Sequence, residues 1–93
     1  MEQAIDAVPV ERKFEVVVIY NGVKKSLEAR PTETVRQLLD RAIHAFGITQ
    51  QPHLLSLYTS DGRELTNEAQ TLADAGVKSH DQLLLRPGAV KGG

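Results

Sequence analysis

The sequence closes with Pro87-Gly88-Ala89-Val90-Lys91-Gly92-Gly93, directly after the run Leu83-Leu84-Leu85-Arg86. The carboxylate of Gly93 is the group here with the most obvious chemical use. An activated carboxylate is an acyl donor, and a thiol or an amine can take the acyl group from it. Gly92 and Gly93 have no Cβ, so they fit a narrow channel and adopt backbone angles that other residues disfavour. The seven residues after Arg86 reach at most about 23–25 Å, enough to enter a buried site while a folded body stays outside. The remaining chemistry-bearing residues are dispersed. His44, His53 and His80 do not have metal-ligand spacing, so no metal is expected. The carboxylates from Glu33 to Asp81 read as solvated surface rather than a catalytic pair. No Gly-rich loop precedes a helix in a phosphate-binding pattern, and no cofactor is expected. The absence of cysteine removes disulfides, thiolate metal sites and a cysteine nucleophile. It suits a reducing cytoplasm. The chain is therefore expected to be acted on by enzymes rather than to be one.

The elements that must carry this terminus are readable. Ninety-three residues make one domain. A net charge of −1 removes the electrostatic footprint of a general nucleic-acid binder. No apolar run approaches the ~20 residues that span a bilayer. The N-terminus, Met1 to Arg12, lacks the basic start and apolar stretch of a secretory signal. Residues 1–13 read as a flexible extension, 14–86 as the folded domain and 87–93 as a flexible tail. Phe14 to Tyr20 is rich in β-branched and aromatic residues and reads as a strand. Asn21-Gly22 is a two-residue hairpin signal, so Val23 to Ala29 is the second strand. That register opposes Val16 to Leu27 and Phe14 to Ala29 on the buried face. It also opposes Lys25 to Val18, which requires either an edge position with the lysine stem over apolar surface or a bulge.

Thr34 reads as a helix N-cap, with Gln37 completing a capping box. Val35, Leu38, Leu39, Ala42, Ile43 and Phe46 then follow helical spacing, and Gly47 is the left-handed stop. Leu54 to Tyr58 is a third strand, Arg63-Glu64-Leu65 a short fourth, and Leu83 to Arg86 the last. The segment from Thr71 to Val77 makes one tight turn. The outcome is an α+β domain with a mixed four- to five-stranded sheet packed on one helix in two layers. Its last strand lies parallel beside the first through a crossover. That is a β-grasp.

The residues resemble ubiquitin over about 14–93. Lys25-Ser26-Leu27-Glu28-Ala29-Arg30-Pro31 followed by Thr34-Val35 is similar to its second strand, proline and helix cap. Phe46-Gly47-Ile48, Asp61-Gly62-Arg63-Glu64-Leu65 and Thr71-Leu72-Ala73-Asp74-Ala75-Gly76-Val77-Lys78 follow in the same order, and Leu83, Leu85 and Gly92-Gly93 complete the series. Fold alone does not fix function. The resemblance implies a ubiquitin-like protein modifier. An ATP-dependent activating enzyme would adenylate Gly93, a conjugating enzyme would carry it as a thioester, and a target amine would form an isopeptide bond. A deconjugating protease is a further implied partner. Two alternatives share the fold: a sulfur carrier bearing a C-terminal thiocarboxylate, and a non-conjugating interaction domain.

The departures from ubiquitin have consequences. The tail lacks closely spaced arginines, leaving Arg86 and Lys91 for tail recognition by a dedicated partner. Arg63 and Ser79 stand where the resemblance implies chain-forming lysines, and arginine is not an amine nucleophile. Lysine-linked chains of the usual kinds are thus disfavoured. Leu84 alternates outward between Leu83 and Leu85. The resemblance puts Tyr20 and Tyr58 beside it as a partner-binding patch. No membrane or nucleic-acid partner is expected, and the free protein is expected to be a monomer.

Overall fold

The computed structural model describes residues 13–88. Lys91, Gly92 and Gly93 lie outside the described residues, as does the expected N-terminal extension except Lys13. Strand β1 (Phe14–Tyr20) pairs antiparallel with β2 (Val23–Ala29). Asn21 and Gly22 between them have φ of 51° and 81°, the left-handed pair that matches strand twist in a two-residue hairpin. Phe14 faces Ala29, Val16 faces Leu27 and Val18 faces Lys25, with unbroken one-to-one pairing and so no bulge. Lys25 is accommodated because β2 is an edge strand. Its Nζ lies 5.7 Å from the centroid of the Phe46 ring, with the apolar stem on the covered side of the sheet.

Helix α1 (Val35–Ala45) buries Val35, Leu38, Leu39 and Ala42, and Ile43 and Phe46 pack against the core edge. Thr34 Oγ1 accepts from Gln37 N–H at 3.1 Å, and Gln37 Oε1 accepts from Thr34 N–H at 2.9 Å. The first helical amides, otherwise orphaned, are also satisfied: Val35 N–H donates to Gln70 O and Arg36 N–H to Glu68 O, both at 2.9 Å. Gly47, at φ +67°, ends the helix, and Ile48 N–H returns to Ile43 O at 3.1 Å. Arg41 ties the helix to the hairpin. It donates to both Glu33 carboxylate oxygens and, at 2.6 Å, to Glu28 O.

A 3-10 turn over Pro52–Leu54 leads into β3 (Leu55–Thr59). The expected fourth strand at Arg63-Glu64-Leu65 is not one. It makes a single bridge, Tyr58 to Glu64, supported by Thr59 N–H to Arg63 O and Leu65 N–H to Leu57 O. The segment is too short for a ladder, although Leu65 is buried. The tight turn expected from Thr71 is the four-residue helix α2 (Leu72–Ala75). It is capped by Thr71 Oγ1 on Asp74 N–H and stopped by Gly76 at φ 85°.

Strand β4 (Gln82–Pro87) runs parallel to β1 and antiparallel to β3. The sheet therefore has four strands in the order β2-β1-β4-β3. Pro87, read from the sequence as tail, belongs to β4, and Gly88 N–H donates to Leu54 O at 2.8 Å. Two residues read as tail, Pro87 and Gly88, are thus held at the sheet, because the Leu54 carbonyl, just before β3, accepts from Gly88. The inner face contributes Val16, Val18, Leu57, Leu83 and Leu85, all at most 2% exposed, against Leu38 and Leu72. Burial of each such side chain stabilises by about 1.5–3 kcal/mol. No helix among the described residues is long and apolar enough to cross a membrane.

Candidate functional site

Alternation decides which side chains the sheet turns away from the helix. Val16 and Val18 point into the core, so Val17 and Ile19 point out. Leu83 and Leu85 are buried, so Leu84 points out between them. The pairing then sets these residues side by side: Ile19 lies opposite Leu84, and Leu84 opposite Tyr58. All three are half-buried, and on the far side of Ile19 the row ends in exposed Lys24 of β2.

Two of the three residues expected to form a patch, Tyr58 and Leu84, are thus brought together. Tyr20 is not. It shares the parity of Val16 and Val18, and its ring lies 5.5 Å from that of Phe46, tilted by 58°. This is the helix side of the sheet. Ile19 takes the place assigned to Tyr20. The signal was in the strand itself, since an inward Val18 turns residue 19 outward and residue 20 inward.

Tyr58 does more than present a ring. Its hydroxyl donates to Pro87 O at 2.9 Å, and the Arg86 guanidinium carbon stands 5.2 Å from the ring centroid, within the range of a cation–π contact. The last turn-out of β4 is thereby fastened to β3 by side chains as well as by the ladder. Arg86, expected in tail recognition, is exposed and stands where β4 leaves the sheet. Opposite it in register is Ser56, fully buried, with an Oγ that has no hydrogen-bond partner among the described residues. At the other end of β3, Thr59 Oγ1 donates to the Asp61 carboxylate. That hydrogen bond is the main reason the Asp61 pKa lies below its usual value near 3.8. Chemically, the face offers an apolar row with Lys24 beyond Ile19 and, at the Tyr58 end, Arg86 over the ring and Glu64 bridged beside it, with no reacting group among the described residues. Gly92, Gly93 and Lys91, expected from the sequence in conjugation and tail recognition, lie outside the described residues.

No protein-family profile and no curated protein sequence matches the chain significantly. Solved structures do. The ubiquitin-like domain of an Arabidopsis thaliana protein, determined by solution NMR, is 25% identical with a TM-score of 0.71, over 100% of this chain and 95% of that one. A protein designed de novo on the basis of ubiquitin is 21% identical with a TM-score of 0.72, over 87% of this chain and 95% of its own. ATBAG1, crystallised in complex with HSP70, is 21% identical with a TM-score of 0.68, over 83% of this chain but 41% of its own. With one helix covering a mixed sheet of order β2-β1-β4-β3 and these structural neighbours, the chain has the ubiquitin-like β-grasp fold.

Proposed function

We propose that this domain binds other proteins through the outward face of its sheet, with Ile19, Leu84 and Tyr58 as the apolar anchor and Lys24 and Arg86 as flanking cations. The in-register row carries this reading. An antiparallel or mixed sheet face open to water usually turns polar residues outward, and here three neighbouring strands turn apolar ones. Aromatic and arginine side chains are enriched among the residues that dominate binding energy. The likeness to a ubiquitin-like domain and to ATBAG1, a protein crystallised with HSP70, supports a binding role. The test compares wild type with Leu84→Asp, both immobilised and exposed to host lysate. Proteins retained by wild type and lost from the variant support the reading. Identical retained sets refute it.

A second reading, conjugation, is favoured by Gly92-Gly93 and by a final strand that leads out of the sheet beside Arg86. In this reading the Gly93 carboxylate attacks the α-phosphorus of ATP and pyrophosphate leaves. An enzyme thiolate then displaces AMP to give a thioester. A target amine attacks the thioester carbonyl and the thiolate leaves, giving the amide. The reaction belongs in the cytoplasm, which a cysteine-free chain suits. Incubation with host lysate and ATP should give thiol-sensitive and thiol-resistant adducts that vanish when Gly93 is deleted. Loss of neither on deletion refutes conjugation. A mass gain of about 16 Da without adducts marks the sulfur-carrier route from the same activated carboxylate.

A further inference from the structure

The side of the sheet that carries the helix has an apolar surface of its own. Val23 is 52% exposed, unlike the other large apolar side chains of the described residues. It pairs directly with Tyr20 at the hairpin tip. The Tyr20 ring packs on Phe46, and the Lys25 ammonium stands over the same Phe46 ring. Tyr20 and Phe46 are only partly buried, so hairpin tip and helix end form one accessible corner.

Cations border it. Three stretches meet at this end of the molecule: the hairpin, the helix end running on into β3, and the outgoing half of β4. Between Val16 and Leu27, between Arg41 and Ser60, and between Gln82 and Gly88 the sequence contains no aspartate or glutamate. Lys24, Lys25 and Arg86 lie in those stretches. Among the described residues Glu64 comes against the second stretch through its bridge to Tyr58, which faces outward from the sheet. Lys25 has no ion pair with a carboxylate among the described residues. Cations without local counter-charge sum to a positive potential that draws acidic ligands, and a cation already seated over a ring is held in place at little further entropic cost.

We propose that this corner docks an acidic segment of a partner protein, which lays one apolar side chain against Val23, Tyr20 and Phe46 while its carboxylates face Lys25. Lys24, on the other side of the same strand, strengthens the field. The apolar contacts are distinct from the Ile19–Leu84–Tyr58 row, which lies on the other side of the sheet, and Lys24 borders both.

The probe is a synthetic peptide with a Leu-Phe pair flanked by aspartates, titrated into the isotope-labelled full chain and followed by amide chemical shifts. Shifts should cluster at Val23, Lys25, Phe46 and Gly47. Lys25→Glu should weaken binding by about tenfold or more, and added salt should weaken it progressively. Val23→Ser, at an exposed position that leaves the fold intact, should weaken binding with an otherwise unchanged spectrum. Equal binding of the peptide with lysines in place of aspartates overturns the proposal, as does no binding at all. Shifts confined to Ile19, Leu84 and Tyr58 overturn it in favour of the outward face. Concentration-dependent shifts at Val23 without peptide overturn it in favour of a second copy of this chain.

Discussion

Ser56→Ala should make this domain more stable, which is unusual for truncation at a fully buried site. Ser56 sits in β3 between buried Leu55 and Leu57, and its Oγ has no hydrogen-bond partner among the described residues. A hydroxyl taken from water without a partner costs about 1–3 kcal/mol. Alanine keeps the Cβ and removes one oxygen. At about 24 cal/mol per Å³, a one-atom void costs well under about 1 kcal/mol. The net expectation is a gain of about 0.5–2 kcal/mol. For a domain of this size each kcal/mol moves Tm by about 4–8 °C. Urea unfolding gives the cleanest reading: the midpoint should rise while the slope stays constant, because the surface exposed on unfolding is unchanged. A loss of about 1 kcal/mol or more would refute the reasoning. It would mean that the hydroxyl is bonded in the folded state and that the packing between Ser56 and its register partner Arg86 differs from that described.

Three further outcomes are expected. Thr34→Ala removes the oxygen that accepts from Gln37 N–H and should cost about 0.5–2 kcal/mol, seen as a lowered thermal midpoint with an unchanged fold. Tyr58→Phe keeps the ring beside Arg86 but loses the hydrogen bond to Pro87 O. It should cost about 0.5–1.5 kcal/mol and speed amide exchange at Gly88, while retaining the partners that Leu84→Asp loses. The Asp61 carboxyl should titrate below its usual value near 3.8, and Thr59→Ala should raise it, as followed by side-chain NMR. Because the folded pKa is the lower one, the contribution of Asp61 to stability is present above the usual carboxylate value. It is lost as pH falls through the folded value.

Much of the architecture was legible because several local signals agreed. Asn21-Gly22 set the hairpin register, and Thr34 with Gln37 marked the start of a helix whose apolar stripe is unbroken. The fold class followed from their order. What the sequence concealed was decided by contacts between distant segments. Whether Arg63 to Leu65 forms a strand depends on how many ladder bonds β3 can offer, and it offers two. Pro87 and Gly88 look like linker, yet the Leu54 carbonyl and the Tyr58 hydroxyl hold them. The candidate site was half legible. Leu84 and Tyr58 were found by alternation and resemblance, but Tyr20 was carried over from the resemblance against its own strand parity. Phe46 then gave its ring a place on the helix side. The acid-free stretches were visible in the sequence all along, but only the pairing of strands shows that they converge.

The sheet order places β4, the last strand of the described residues, between β1 and β3. A nascent chain on the ribosome cannot assemble this sheet progressively. Until residues 82–87 emerge, β1 lacks its inner neighbour and β3 has no strand partner. Unpaired edges of that kind invite association with other chains, and closure over such long sequence separations is slow. The centre of the sheet is therefore filled in a single late step, after β1, β2 and β3 have emerged. A polypeptide cut short anywhere before Gln82 should behave as unfolded material for the cell's quality control rather than as a smaller working domain.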